Sequence, residues 1–140
     1  MLIGEYQHNL DAKGRIIVPA KLREEIGDNM IVTRGLDENL YVYAPNEFQT
    51  MINKIMELPQ TSPQARRLRA VTIARAVELE VDVQGRINLP AKLIESAKLS
   101  KRCVIVGNID HLVIWDEKIW DDYYQMSSEN ISEFASNLII

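Results

Sequence analysis

The chain has 140 residues, 46% hydrophobic and 26% charged, with a net charge of −4; this is the composition of one compact domain or two small equivalent ones. No apolar run approaches the roughly 20 residues of a membrane span, the N-terminal Met1-Leu-Ile-Gly-Glu lacks the basic-then-apolar pattern of a secretory signal, and a single cysteine, Cys103, excludes an internal disulfide and fits a reducing compartment. The acidic balance argues against a nucleic-acid partner unless charge is segregated, and it is. Residues 11–23 hold Lys13, Arg15, Lys21 and Arg23 against Asp11, and residues 64–75 hold Arg66, Arg67, Arg69 and Arg75 with no acid. Residues 116–140 carry Asp116, Glu117, Asp121, Asp122, Glu129 and Glu133 against Lys118, so an acidic chain can still present a basic surface.

In chain order, residues 4–10 alternate with the period of a half-buried strand. With residues 15–18 they predict a hairpin closed by residues 11–14. A short helix from Ala20 to about Ile26 follows, ended by Gly27-Asp-Asn. Residues 30–33 and 40–43 read as strands on either side of the turn Gly35-Leu-Asp-Glu-Asn. Pro45-Asn46-Glu47 starts a helix with Asn46 as the expected N-cap, and Phe48, Met51, Ile52 and Ile55 give it one apolar face. Ser62-Pro63 opens a second helix to about Arg75, with Leu68 and Val71 placed to face inward. Residues 77–81 alternate again as a strand. A short helix over residues 91–97 and strands over 103–106 and 112–115 then repeat the earlier order. Asp116 is expected to cap a last helix containing Ile119, Trp120 and Tyr123; no element is assigned beyond Met126. Phe48, Trp115 and Trp120 read as core.

One stretch occurs twice. Asp11-Ala-Lys-Gly-Arg-Ile-Ile-Val-Pro-Ala-Lys-Leu22 returns 71 residues later as Asp82-Val-Gln-Gly-Arg-Ile-Asn-Leu-Pro-Ala-Lys-Leu93, an internal duplication. Gly35, Leu40, Tyr43 and Phe48 correspond likewise to Gly107, Leu112, Trp115 and Trp120 at an offset of 72. Within each copy, Asp11 or Asp82 can fold its carboxylate onto backbone N–H groups, and Gly14 or Gly85 supplies a φ > 0 position. A strand leaves through the arginine, and proline ends it before a short helix. A unit of about 45 residues is near the lower limit for burying its own core, which favours two units sharing one about a pseudo-twofold axis.

Both motifs resemble the Asp-x-x-x-Arg motifs of the MraZ family, a bacterial branch of the AbrB-type swapped-hairpin transcription factors. Gly4-Glu-Tyr, Thr33-Arg-Gly-Leu-Asp, Leu40-Tyr-Val-Tyr, Ala65-Arg-Arg and Ile114-Trp-Asp resemble it in order, over about residues 1–124. The resemblance implies a β-rich fold with short helices, in which tandem AbrB-like hairpin units form a double-split, swapped-hairpin β-barrel. The corresponding division is 5–47 and 76–119 for the two DNA-binding units, 48–75 for a helical connector and 120–140 for a C-terminal helix and tail. It also implies a cytoplasmic, nucleoid-associated regulator, a ring homo-oligomer such as an octamer or dodecamer, bound to direct repeats of double-stranded DNA in the promoter of the division and cell-wall gene cluster. Lys13, Arg15, Gln84 and Arg86 match the family's DNA-contacting positions, and Gln84 in place of a second lysine lowers the charge of the second tip.

Other readings compete. The Asp and Arg of each motif can bridge their own turn, an exposed pair contributing about 0–1 kcal/mol. Arg66, Arg67 and Arg69 can contact phosphate, or form a solvated or inter-subunit helix face. Arginine can read guanine O6 and N7 from the major groove, yet it also favours a narrow minor groove, and the sequence leaves both open. His8 and His111 are isolated, and no metal-ligand, phosphate-loop or nucleophile-elbow motif occurs, so neither enzyme activity, metal, cofactor nor small-molecule substrate is expected. A ring-forming interaction scaffold without specific DNA binding is the alternative.

Overall fold

The computed structural model describes residues 1–139; Ile140, the end of the expected C-terminal tail, lies outside the described residues. Strands β1 (Glu5–Asn9) and β2 (Arg15–Ile17) precede helix α1 (Ala20–Ile26), and β3 (Asn29–Arg34) and β4 (Leu40–Tyr43) lead to α2 (Pro45–Met56) and α3 (Pro63–Ala74). The series then repeats as β5 (Val77–Glu80), β6 (Arg86–Asn88), α4 (Ala91–Ser96), β7 (Arg102–Gly107), β8 (Leu112–Asp116), α5 (Glu117–Glu129) and α6 (Ile131–Asn137). Antiparallel strands joined by short helices are the architecture expected from the alternation. Among the described residues, no helix is long and apolar enough to cross a membrane.

The strands form a six-stranded sheet ordered β1-β7-β8-β4-β3-β5 and a two-stranded ribbon, β2-β6. Exchanging each strand for its duplicate turns the first order into its own reverse and leaves the second unchanged, so a pseudo-twofold relation passes between β8 and β4. The described pairings of the large sheet end on β1 and β5 and do not close it.

The expected hairpin of residues 4–18 is corrected. Its turn forms, but its arms part: β1 pairs with β7, opposing Glu5 to Val106 and Asn9 to Arg102, while β2 pairs with β6. The duplicate arms behave alike, β5 joining β3. Alternation specifies which face of a strand is buried, not which strand it joins. The consequence is a single core, in which Ile16, Val18, Leu22, Met30 and Val32 pack in one cluster with Ile87, Leu89, Leu93, Ile105 and Ile114.

The helices cover this core through matched aromatic contacts. Tyr43 meets Phe48 edge-on at 5.9 Å, and at the duplicate positions Trp115 meets Trp120 at 5.6 Å, with Tyr123 also 4.6 Å from Trp115. Trp115 is buried, while Phe48 and Trp120 are half-buried at the edge of the core. Phe48, Met51, Ile52 and Ile55 are likewise half-buried, as the spacing of α2 requires.

Five local expectations change or sharpen. The N-cap of α2 is Ala44, not Asn46, because Pro45 takes the first helical position, where its missing N–H costs nothing. Ser62 does cap α3, accepting a hydrogen bond from Ala65 N at 3.2 Å, but Leu68 and Val71 are 37% and 49% exposed rather than inward, since α3 lies at the surface with no buried residue. Asp116 caps α5 as expected, accepting from Ile119 N at 3.4 Å. That helix continues to Glu129, and α6 follows, so the stretch without an assigned element is largely helical.

Because β1 and β2 find partners in the second copy, residues 1–71 alone should not fold as a monomer. Sedimentation and thermal melting of that fragment should give an unfolded chain or a folded dimer that exchanges strands with itself; a cooperatively melting monomer would contradict the pairing.

Candidate functional site

Each motif turn is organised by its aspartate. Asp11 Oδ1 accepts the backbone N–H groups of Lys13 (3.0 Å) and Arg15 (2.8 Å), and its Oδ2 accepts Arg15 Nε at 2.7 Å. Asp82 repeats this with Gln84 N, Arg86 N and Arg86 Nε, each at 2.9 Å. Gly14 and Gly85 have φ of 81° and 80°, the conformation that glycine supplies without a Cβ penalty. The bridge across each turn is therefore real in both copies.

These bonds favour the charged carboxylates. The backbone N–H of Arg15 is the chief cause that holds Asp11 below its ordinary pKa of 3.8, with the guanidinium and the Lys13 N–H adding to it. Asp82 is lowered in the same way by Arg86 and Gln84.

Each aspartate engages its arginine through Nε. Among the described residues, no hydrogen bond from Nη1 or Nη2 of Arg15 or Arg86 is found. The side chains remain 31% and 25% exposed, so the terminal fork of each is fixed at its stem and available at its end.

The two arginines come together on the ribbon. Ile16 faces Ile87 at its centre and both are fully buried, which turns Arg15, Ile17, Arg86 and Asn88 to the opposite, outer face. Arg15 is opposite Asn88 and Ile17 is opposite Arg86, so the arginines are diagonal neighbours, about 7–8 Å apart at the backbone. Lys13 and Gln84 do not meet. They are exposed at the two turns, which lie at opposite ends of the ribbon. Each turn is braced by the other copy: Val18 N donates to Gly85 O (2.9 Å), and Leu89 N to Gly14 O (2.8 Å).

The family model described as "MraZ protein, putative antitoxin-like" matches the chain twice in tandem, over residues 1–71 and 72–139. The chain belongs to the MraZ family. The second MraZ match also takes in α5 and α6, so the likeness extends past the residues 1–124 that the motifs alone suggest. The α5 segment keeps the aromatic contact to its strand, Trp120 against Trp115, where α2 has Phe48 against Tyr43.

Arg66, Arg67 and Arg69 lie on exposed α3, and no described hydrogen bond or ion pair joins them to the MraZ motif turns or the ribbon. Arg66 Nη1 instead donates to Gln60 O at 2.8 Å. Cys103 is buried, and burial chiefly raises its thiol to about 11, a protonated and unreactive state near neutral pH. Sequence reasoning misses Arg23. Its Nε donates to Val18 O at 2.8 Å, and its guanidinium lies over Gly85, a contact between copies that no local pattern reveals.

The lowered aspartates set a pH dependence. A carboxylate with a folded pKa below 3.8 contributes stability that is complete above that value and is lost as pH falls through the folded pKa. Asp11→Asn combined with Asp82→Asn should lower the melting temperature at neutral pH, and its melting curve should converge on that of the unsubstituted chain as pH falls below 3.8. A constant difference across the acid range, followed by thermal melting, would mean that the carboxylate charges carry nothing.

Proposed function

We propose that the outer face of the β2-β6 ribbon binds double-stranded DNA and that the chain is a sequence-specific transcriptional regulator. The observation that carries this reading is the convergence of Arg15 and Arg86, one from each copy, on one exposed face with their terminal forks unengaged among the described residues. A two-stranded ribbon fits the major groove, and a guanidinium fork matches guanine O6 and N7 with two hydrogen bonds. A separation of about 7–8 Å spans roughly two base-pair steps of about 3.4 Å, so one ribbon reads one short element. Lys13 and Gln84, at the two ends, are assigned to the flanking backbone. Asp11, Gly14, Asp82 and Gly85 shape the turns and take no catalytic part. The units over 5–47 and 76–119, joined by 48–75, are read as the two halves of a double-split, swapped-hairpin barrel; the exchange of β1 and β5 between copies supports this.

One bidentate contact discriminates by about 1–3 kcal/mol, too little to select a promoter. Repetition in a ring homo-oligomer on direct repeats makes the later contacts intramolecular. Self-association is supported by complementary surfaces. Helix α3 carries Arg66, Arg67 and Arg69 together with exposed Leu68 and Val71, whereas α5 and α6 carry Asp121 and Glu133 together with exposed Tyr124 and Phe134. This assigns the α3 arginines to contact between protomers rather than to phosphate. On the motif resemblance alone we assign the regulator to the nucleoid and its target to the promoter of the division and cell-wall gene cluster.

The test uses a duplex selected by the full chain from a random-sequence library. Arg15→Ala with Arg86→Ala should weaken binding to it by about 1–3 kcal/mol per engaged arginine, with oligomer mass unchanged and the melting temperature only slightly lower. Intact affinity with earlier melting would make the arginines turn braces alone and favour the scaffold reading.

A further inference from the structure

The duplication is not symmetric where it meets solvent at the ends of the ribbon. Turn 1 carries Lys13 and turn 2 carries Gln84 at the matching position, so one end has lost a positive charge. The helix residue laid over each turn comes from the other copy. Over Gly14 lies Ile94 of α4, whose Cδ1 would be 3.2 Å from a Cβ built there; over Gly85 lies Arg23 of α1, whose Cζ would be 2.6 Å from the corresponding Cβ. Arg23 and Ile94 are themselves duplicate positions, 71 residues apart. The turn with lysine is therefore covered by isoleucine, and the turn with glutamine is covered by arginine.

Resting on the DNA-binding reading above, we propose that Arg23 is a DNA-contacting residue of the second turn and supplies across the copies the cation that Gln84 lacks. Three observations support the assignment. Nε of Arg23 is held by Val18 O at 2.8 Å, and Val18 N is bonded to Gly85 O at 2.9 Å, so the guanidinium is fixed to the turn it covers. Among the described residues, Arg23 forms no ion pair, whereas Arg15 and Arg86 each have an aspartate. Gly85 lacks the Cβ that would displace the guanidinium, so its glycine serves the approach of Arg23 as well as the positive φ of 80°. The partner is a phosphate beside the ribbon, because the group lies at the end of the ribbon and not on its central face. Each end then offers one cation, Lys13 at the first and Arg23 at the second.

The readout is the salt dependence of binding to the duplex selected by the full chain. Removing one cation that neutralises a phosphate reduces the slope of log affinity against log salt by about 0.9. Arg23→Met should reduce the slope by about that amount per engaged turn, and Gln84→Lys in the same chain should restore it. Ile94→Arg, which places a guanidinium over Gly14 from a half-buried position packed against the core, should steepen the slope, and Arg23→Gln, which keeps a donor for Val18 O, keeps the test decisive if Arg23→Met does not fold. A lower melting temperature with an unchanged slope in Arg23→Met would make Arg23 a brace of Val18 alone and overturn the inference, as would an unchanged slope in Ile94→Arg. Binding by the unsubstituted chain in those cases leaves the DNA reading standing; no binding by the unsubstituted chain overturns both.

Discussion

The pairing of Ile16 with Ile87, flanked by the reciprocal bonds Val18 N to Gly85 O and Leu89 N to Gly14 O, ties the two copies into one molecule. With β2 committed to β6, the chain before it runs to β7 and not back along β2, and the duplicate strand β5 runs to β3. Each copy thus completes the other's sheet. The physical reason is size: about 45 residues scarcely bury a core alone, and two interleaved units share one. The same pairing turns the motif residues outward, so the constraint that builds the fold also creates its exposed face.

In the proposed reading, the Asp–Arg pairs combine a structural and a functional role. As an ion pair, each braces a turn whose geometry the backbone N–H bonds to the aspartate already hold. An arginine side chain, however, carries about 2 kcal/mol of rotamer entropy. Engaging Nε with the aspartate removes part of that freedom before any partner arrives and leaves Nη1 and Nη2 unbonded among the described residues. Preorganisation of this kind strengthens binding without a new contact. In the proposed reading, the aspartate is the positioning group and the arginine the reading group.

Much of this is legible in the residues. The duplication is read by comparing the chain with itself at an offset of 71, whereas the turns with positive-φ Gly14 and Gly85 and the caps Ser62 and Asp116 follow from local chemistry, each decided within about four residues. What local chemistry cannot specify is the partner. Residues 4–18 read as a hairpin because alternation and a turn are what a hairpin needs; the exchange of its arms depends on β6 and β7, which are far along the chain. Arg23 escapes a local reading for the same reason, because its role is defined by Gly85. Asn46 reads as a cap, yet the constraint of Pro45 on the first turn outweighs the capping preference of Asn.

The structure of the full chain bound to the duplex it selects from a random-sequence library is the most direct measurement. The β2-β6 ribbon of a protomer should lie with its outer face against a single repeat element, Arg15 and Arg86 both reaching base edges in the same groove. Arginines of one protomer engaging separate elements, or a DNA path that leaves the ribbon uncovered, would contradict the composite site.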